Sequence, residues 1–499
     1  AHLQVVKAWK GWNVPPHWHL TLIDIEPAAT YSGMVPGCIA GIYEPQETSL
    51  DLKSLCTWAG VNFIQDQLFD ITLSPPSCQC VLLKSASDPI PFHVLSFDIG
   101  STSLGWKATP GASSYTIPTR PISKLIRRVQ DAEKSFVTAT SSSSTTSTTD
   151  VVVIGGGAAG IELAMSLRGR WTDFGRLGDQ GQVQEKSNLA VKLLYSGSEL
   201  MPDETPSCRR ALYQALKERN IQLIPNRRVY QVTSTHILVD SKLDNISDKI
   251  PYTHAFWATG AEAHIDLTKR LKQSGMDIDP HGWITVYPTL QSTSHPNIYA
   301  AGDCCTIQHS HNPPPPKAGV YAVRAGPVLT ANLLATLQSM DRTANQGNKD
   351  DIWKDWKPPY PLENYNPQKD FLKLLACGDG TALGFRFGIP IQGKWVMDLK
   401  DHIDQMFMNT FRIEKLQSDQ SIDNVNSSKD MTATIPSQFD SSYIDNFENK
   451  KMHPELAAKL LQRKDTEVDY KLPWSILRVM ANDESYQSEV LQFISQSNS

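Results

Sequence analysis

Three glycines in the middle of the chain have the spacing that holds the diphosphate of a dinucleotide. Gly155, Gly157 and Gly160 lie in residues 150–168 (DVVVIGGGAAGIELAMSLR), between a run of β-branched residues and a helix of small residues. The first glycine permits a tight turn, the second lets the backbone approach the diphosphate, and the third allows close packing of helix on strand. The segment predicts a nucleotide site rather than a plain glycine turn. Its position in mid-chain predicts a second nucleotide site before it.

Two further strands end in small residues and a turn. Residues 255–260 (AFWATG) end at Gly260, and residues 295–305 (HPNIYAAGDCC) contain Gly302 and Asp303. With the glycine loop, they resemble the FAD- and NAD(P)-dependent oxidoreductases that contain two dinucleotide-binding folds. The resemblance implies that Asp303 hydrogen-bonds the ribityl or phosphate part of FAD. The alternative is that Asp303 caps a turn or a helix.

Five more segments narrow this resemblance. They are, in chain order, residues 31–43 (YSGMVPGCIAGIY), 95–101 (LSFDIGS), 316–332 (PKAGVYAVRAGPVLTAN), 371–384 and 400–408 (KDHIDQMFM). The series resembles the type II NADH dehydrogenase-like branch of the pyridine nucleotide-disulfide oxidoreductase superfamily. It is most similar to the flavoprotein module that some organisms fuse to selenophosphate synthetase (selenide, water dikinase). The similarity covers residues 1–412, outside any synthetase module, so a link to selenium rests on association alone.

The resemblance also implies that a first glycine loop is missing from this sequence. Members of the family begin with a strand and a loop of the GGGHAH type, whereas this sequence opens at Ala1-His2-Leu3, as if inside that loop. We therefore expect the first FAD phosphate cradle to lie upstream; a natural form without it would bind FAD poorly. Residues 19–24 (HLTLID) would form the next strand, with Asp24 at a position that often holds the adenosine ribose. Gly100 is a further candidate for the FAD site.

Side chains beside the two coenzymes have roles that follow from the resemblance. Glu162 matches a family position that often faces the nicotinamide ring, and the alternative is a surface carboxylate on the helix. Lys317 and the amides of Ala318 and Gly319, at the start of a helix, would stabilise negative charge on the reduced flavin. The alternative for Lys317 is a solvated residue of the first helical turn. No catalytic triad is expected, because hydride passes directly between the stacked nicotinamide and flavin rings.

The choice between NADH and NADPH depends on the end of the second strand of the NAD(P) domain. Residues 189–195 form that strand, and neither an acidic nor a basic residue stands at its end. Glu199 lies close by, so the sequence mildly favours NADH.

The eight cysteines argue against a disulfide reductase. Disulfide reductases of the superfamily carry a Cys-x4-Cys pair soon after the first strand and helix, and this sequence lacks that pair. Cys38 has no partner before Cys56, and Cys304 and Cys305 are adjacent, which suits an ordinary disulfide poorly. We predict that Cys304 and Cys305 pack as small apolar residues and that no metal site exists. We also expect a reducing intracellular compartment, with mitochondrion, plastid and cytoplasm left open.

Composition gives no sign of a nucleic-acid-binding or membrane-spanning protein. The 499 residues include 47 Lys and Arg against 52 Asp and Glu, and this near balance gives no reason to expect a nucleic-acid partner. No apolar run of about eighteen residues predicts a membrane-spanning helix. We predict an α/β protein with two Rossmann-like dinucleotide-binding domains, a discontinuous FAD domain and an α-rich C-terminal extension.

The motifs and the composition together predict the domain boundaries. The segments are 1–137 (first part of the FAD domain), 138–149 (Ser/Thr linker), 150–292 (NAD(P) domain), 293–337 (second part of the FAD domain), 338–416 (C-terminal interface or acceptor-side region), 417–450 (disordered) and 451–499 (helical tail). A polar insertion at residues 169–187 is expected to lie on the surface.

The resemblance implies a quinone acceptor, reached beside a C-terminal region at the membrane surface. Residues 394–412 (KWVMDLKDHIDQMFMNTFR) place apolar residues on one helical face and Lys400, Asp401 and Asp404 elsewhere. This helix could contact a membrane peripherally, line a homodimer or pack against the core.

Together these observations predict a flavin-dependent NAD(P)H dehydrogenase that passes electrons to a quinone or another small acceptor. A second hypothesis is a sulfide or selenium-compound oxidoreductase that uses Cys38 or Cys304. A third is a nucleotide-binding partner of selenophosphate synthetase without turnover.

Overall fold

The computed structural model describes residues 1–142, 149–176, 189–241, 247–308, 314–346, 356–359, 361–368, 370–417, 452–462, 475–477, 479–480 and 483–497. Parts of several predicted segments therefore lie outside the described residues. Among them are 143–148 of the linker, 177–187 of the insertion, 418–450 of the segment expected to be disordered and 463–474 of the helical tail.

The helices and strands of the described residues include two long runs of successive strands, β4 to β9 and β13 to β18, whose bounds follow. The helices are α1 (His2–Gly11), α2 (Val35–Ile39), α3 (Leu52–Ala59), α4 (Ala112–Tyr115), α5 (Leu125–Ser142), α6 (Ala158–Arg176), α7 (Pro206–Glu218), α8 (Ile265–Gln273), α9 (Gly319–Gln346), α10 (Lys394–Asn409), α11 (Pro454–Gln462) and α12 (Glu484–Ser497). The strands up to the linker are β1 (Thr21–Asp24), β2 (Ala28–Thr30), β3 (Ser49–Asp51), β4 (Asn62–Gln65), β5 (Leu68–Thr72), β6 (Cys80–Leu83), β7 (Ile90–Pro91), β8 (Leu95–Phe97), β9 (Thr102–Ser103) and β10 (Ile117–Pro118). The later strands are β11 (Thr149–Ile154), β12 (Leu189–Leu194), β13 (Ile221–Ile224), β14 (Arg227–Val232), β15 (His236–Ser241), β16 (Ser247–Pro251), β17 (His254–Trp257), β18 (Ala261–Glu262), β19 (Ile284–Val286), β20 (Ile298–Ala300), β21 (Cys305–Ile307), β22 (Lys373–Ala376), β23 (Ala382–Arg386) and β24 (Ile389–Gly393).

A five-stranded parallel sheet forms the centre of the predicted NAD(P) domain. Its spatial order is β10-β17-β11-β12-β13. Residues 151–153 of β11 are fully buried, as their β-branched side chains predict for a strand covered on both faces. The edge strand β10 precedes the linker in sequence, so the chain enters this sheet before residue 138.

The predicted FAD domain is built from two separate stretches of the chain. Strand β8 pairs in parallel with β20, although the whole NAD(P) domain lies between them in sequence. Parallel pairs β1–β4 and β19–β21 complete this unit. The two-stranded antiparallel pair β9–β18 links it to the NAD(P) domain. The α/β class and the discontinuous FAD domain are therefore confirmed.

The C-terminal region contains an antiparallel sheet as well as helices. Strands β22, β23 and β24 pair in that order, and α10 packs on them. Residues of α11 and α12 bury apolar side chains in the same cluster, including Leu461 and Val490. The helical tail is thus present, and its helices cover part of a sheet that the sequence did not predict.

The first part of the predicted surface insertion is a continuation of α6. Trp171 is fully buried and stacks on Phe136, with ring centroids 5.0 Å apart. Gly169 packs so closely on Gly378, in the turn between β22 and β23, that a Cβ atom would overlap its carbonyl oxygen. The expectation of a surface segment is therefore wrong for residues 169–172, because one buried aromatic side chain among polar residues gives no apolar pattern in the sequence.

Among the described residues, α9 has the length and composition of a membrane-crossing helix. It is nevertheless bound to the FAD domain through buried polar groups. Asn332 donates to the carbonyl oxygens of Thr289 and Glu363, each at 2.9 Å, and Thr336 bonds the Tyr299 hydroxyl at 2.7 Å. These contacts are those of a core helix.

Candidate coenzyme and flavin sites

The glycine loop lies at the carboxyl end of β11, where α6 begins. Gly155 has a φ of +131°, and a Cβ atom there would overlap the carbonyl oxygen of Ala258. A Cβ on Gly160 would overlap the carbonyl oxygen of Gly155. The space where a Cβ of Gly157 would stand is open. The loop thus leaves room for a diphosphate at Gly157, beside the unpaired first-turn amides of α6.

The Gly302–Asp303 turn follows β20 in the FAD unit. Gly302 has a φ of +72°, and its Cβ would stand 2.7 Å from an Asp98 carboxylate oxygen. Asp303 accepts a hydrogen bond from Ser101 at 3.0 Å and pairs with the Arg120 guanidinium at 2.5 Å. Arg120 lies just after β10, so this ion pair joins the two units. Arg120 could not be predicted from the sequence, because no local pattern marks a residue whose partner lies 183 positions away.

The other predicted FAD residues lie at ends of parallel strands. Asp24 ends β1, and one of its carboxylate oxygens accepts from the Glu26 amide at 2.9 Å. Burial raises the pKa of Asp24. Gly100 follows β8 with a φ of +65° and open space at its Cβ position. These positions are compatible with an extended ligand that crosses the strand ends.

Lys317 lies immediately before α9. Its ammonium group donates to the carbonyl oxygen of Cys305 and stands 4.3 Å from the ring centroid of Trp283. It is therefore held by protein groups rather than by solvent alone. Ala318 and Gly319 lead into α9, and a Cβ on Gly319 would approach the Ser32 hydroxyl to 3.0 Å. The start of α9 thus faces residues 31–43, another motif of the predicted flavin site.

Glu162 lies one turn into α6 and faces the C-terminal sheet. Its carboxylate accepts a hydrogen bond from the Ala376 amide at 2.9 Å. Burial raises the pKa of Glu162 to about 7, and the Lys400 charge and the Ala376 hydrogen bond only partly oppose this shift. The alternative of a surface carboxylate therefore does not hold, and the position of Glu162 beside the nicotinamide ring stays a prediction. Glu162 can hold or release a proton near neutral pH.

A buried ion pair accompanies Glu162. The Lys400 ammonium lies 2.7 Å from a carboxylate oxygen of Asp404 and donates to the Gly33 carbonyl at 2.5 Å. Burial and the neighbouring Asp404 charge raise the pKa of Tyr31. Four ionisable groups thus lie together where the FAD unit, α6 and α10 meet. They are the amine of Lys400, the carboxyl groups of Glu162 and Asp404, and the phenol of Tyr31.

This ion pair corrects the interpretation of the helix at residues 394–412. Lys400 and Asp404 were expected to lie off the buried face, but both are buried, whereas Met406 is exposed. Their charges satisfy each other one turn apart, which an apolar periodicity cannot reveal. Trp395 and Phe407 are also buried, so α10 packs against the core.

The residues that could choose between NADH and NADPH lie after β12. Tyr195 is buried, and the half-exposed Glu199 carboxylate lies 3.4 Å from the Arg209 guanidinium. Arg209 also donates to the carbonyl oxygens of Pro202 at 3.2 Å and Glu204 at 2.5 Å. These bonds fix the loop and leave the Glu199 carboxylate accessible for a ribose diol.

Three buried cysteines have environments that oppose thiolate formation. Burial raises the pKa of Cys38 and of Cys377 to about 11. A hydrogen bond with Cys305, followed by burial, raises the pKa of Cys304. Thiolates are the nucleophilic form, so these sites favour packing over redox chemistry. No cluster of metal-ligating side chains occurs among the described residues.

Part of the chain matches a known family model. Residues 108–326 match the family model "Pyridine nucleotide-disulphide oxidoreductase". The match begins before β10 and ends within α9, so it contains the glycine loop, Gly260 and the Gly302–Asp303 turn.

A curated relative of this chain is the type II NADH:quinone oxidoreductase of Haemophilus influenzae. It is 25% identical over 244 residues, which are 48% of this chain and 48% of the relative. The chain therefore spans about half the length of that relative.

Two solved structures share the fold over most of the chain. The sulfide:quinone oxidoreductase of Aquifex aeolicus has a TM-score of 0.59 and 16% identity, over 82% of this chain and 89% of the other. NDH2 of Plasmodium falciparum has a TM-score of 0.57 and 14% identity, over 81% and 94% respectively. The chain thus has the fold of FAD- and NAD(P)-dependent oxidoreductases.

The residues present fit both groups that this fold binds. Open space at Gly157 and Gly100 would accept phosphate-bearing chains that a Cβ atom would obstruct. In the FAD unit, Gly100, Gly302 and Asp303 supply a turn and a hydrogen-bonding carboxylate. In the NAD(P) unit, the glycine loop and α6 supply amides for an anion.

Proposed function

We propose that the protein is a flavin-dependent NAD(P)H dehydrogenase that passes electrons to a quinone. The observation that carries the proposal is the placement of Glu162. The Glu162 carboxylate, with a pKa raised to about 7, lies one helical turn after the coenzyme glycine loop. It also lies beside the buried pair formed by Lys400 and Asp404. A proton-holding group therefore lies between the predicted coenzyme site and the acceptor-side region.

The two cofactors supply the redox chemistry when bound: hydride transfer from nicotinamide to flavin. The chain's own residues orient the cofactors and manage charge. The α6 amides bind the coenzyme diphosphate, and Asp303 holds the ribityl or phosphate part of FAD. Lys317 and the start of α9 stabilise negative charge near the flavin ring.

A quinone needs protons as well as electrons when it is reduced. Glu162 holds a proton at its carboxyl oxygen near neutral pH, and the Lys400 ammonium lies beside it. We assign proton supply to this cluster. NADH is placed ahead of NADPH because Glu199 offers a carboxylate and Arg209 is already engaged by Glu199 and two backbone carbonyls.

We also propose an intracellular location at a membrane surface. All eight cysteines are free, which agrees with a reducing intracellular compartment. A lipid-soluble acceptor requires contact with a membrane surface, and this contact is part of the proposal.

The acceptor is tested by comparing substrates on one preparation. With FAD loaded, NADH should drive reduction of a short-chain ubiquinone analogue, and sulfide should not replace NADH as donor. Sulfide-dependent quinone reduction without NADH would instead establish the sulfide oxidoreductase hypothesis. Bound nucleotides with no turnover would support the partner role beside selenophosphate synthetase.

A further inference from the structure

Leu104 is an exposed apolar side chain at the edge of the predicted coenzyme cleft. It is 50% exposed, although the residues around it are ordered by hydrogen bonds. Its amide donates to the carbonyl oxygen of Gly260 at 2.8 Å. Its own carbonyl accepts from the Trp257 indole at 2.9 Å and from the Thr259 hydroxyl at 2.6 Å. The backbone of Leu104 is thus fixed on the carboxyl end of β17 while its side chain stays open.

The turn that holds Leu104 also touches the glycine loop. The Ala258 amide donates to the Ile154 carbonyl at 2.8 Å, and a Cβ on Gly155 would stand 2.9 Å from the Thr259 nitrogen. The Leu104 side chain lies 3.8 Å from the Cβ position of Gly260. The ends of β11 and β17 therefore form one continuous surface, with Leu104 above it.

The strand order shows which half of the coenzyme would cross Leu104. In the order β17-β11-β12, the glycine loop of β11 takes the diphosphate, and the region after β12 takes the adenosine ribose. The adenosine half therefore extends from β11 toward β12 and Glu199. The nicotinamide half must extend to the other side, over the end of β17.

We propose that Leu104 packs against the nicotinamide half of NAD(P)H and helps to hold it over the end of β17. This inference rests on the proposed function, because it requires a dinucleotide in the cleft. A leucine in this place covers an apolar ring face without competing for the polar groups of the diphosphate. This role would explain why the Leu104 side chain is exposed.

The test compares NADH with ADP-ribose, which lacks only the nicotinamide. Calorimetry on the full chain gives both dissociation constants for the unmodified protein, Leu104→Ser, Leu104→Met and a matched control, Leu456→Ser. Leu456 is also 50% exposed, but it lies on α11. We expect Leu104→Ser to weaken NADH binding about fivefold and to leave ADP-ribose binding within about twofold, since one apolar contact is lost. Leu104→Met and Leu456→Ser should bind both ligands like the unmodified protein.

Equal weakening of both ligands by Leu104→Ser, or no weakening of NADH, would overturn the assignment of Leu104. A thermal melt of each variant separates misfolding from a binding effect, and Leu104→Met then serves as the folded comparison. If the unmodified protein binds neither ligand, the proposed function fails rather than the assignment of Leu104 alone.

Discussion

Glu162 and Lys400 show that the surroundings of a charged side chain decide what it can do. Both residues lie on helices whose sequences place charges at ordinary intervals, and the structure buries Lys400 and leaves Glu162 partly buried in its electrostatic range. Burial turns Glu162 into a group that titrates near neutral pH and makes Lys400 dependent on Asp404. These two consequences can be measured separately.

Replacing Glu162 should change how stability depends on pH. The folded-state pKa of about 7 exceeds the ordinary value of 4.5, so the folded protein loses stability as the pH rises from about 4.5 through 7. Ionised Glu162 would cost up to about 3 kcal/mol above pH 7. We expect Glu162→Gln to raise the melting temperature more at pH 8.5 than at pH 5.

The half-exposed Glu199 provides the control for this measurement. Glu199→Gln should change the melting temperature by the same amount at pH 8.5 and at pH 5. An equal change in melting temperature for Glu162→Gln at both pH values would show that Glu162 does not titrate in this range.

Replacing Lys400 alone should destabilise the protein strongly. Lys400→Met leaves Asp404 buried without its partner, and breaking a buried pair costs about 3–5 kcal/mol. The double variant Lys400→Met/Asp404→Leu removes both charges and should recover most of that loss. Urea unfolding of the two variants measures the difference. A double variant as unstable as Lys400→Met would mean that packing, not charge, determines the cost.

At the scale of elements, the strand, loop and helix of the NAD(P) unit carry two glycines with different tasks. A Cβ on Gly160 would overlap backbone, whereas the Cβ position of Gly157 is open. Packing therefore requires a glycine at position 160, whereas only the ligand requires a glycine at position 157.

The pair Gly160→Ala and Gly157→Ala separates these tasks. We expect Gly160→Ala to lower the free energy of unfolding by about 2 kcal/mol, because helix and strand must move apart. Gly157→Ala should fold normally and weaken NADH binding at least about tenfold. Thermal melts and NADH titrations check both. Normal NADH binding by folded Gly157→Ala would show that the diphosphate does not bind at this loop.

The elements also show which features a sequence can predict. The glycine loop, the Gly302–Asp303 turn and the discontinuous FAD unit follow from short patterns of glycines and β-branched residues. Arg120, Lys400 and Asp404 could not be predicted in their roles, because their environments depend on residues brought from distant segments or on burial of a polar helix position. Trp171 was missed for a related reason, since one aromatic anchor among polar residues gives little periodicity.

At the scale of the whole molecule, the FAD unit, the NAD(P) unit and the C-terminal sheet meet around Glu162. Under the proposed function, electron entry and proton supply would lie in one region. Under the proposed function, Cys38 and Cys304 take no part in that chemistry, because both are buried and their pKa values are raised.

Replacing both cysteines tests their exclusion. Cys38→Ser/Cys304→Ser should keep NADH-driven quinone reduction within about twofold of the unmodified rate, because neither thiol takes part. Steady-state rates at matched flavin content make the comparison. Loss of turnover in folded, flavin-loaded enzyme would favour the sulfide or selenium-compound oxidoreductase.

The most direct measurement of the central claim is anaerobic stopped-flow absorbance at the flavin band. It should be made with NADH and NADPH on the full chain loaded with FAD. We predict rapid bleaching of the flavin, faster with NADH than with NADPH. Retained flavin that neither nucleotide bleaches would contradict the assignment of the protein as an NAD(P)H dehydrogenase.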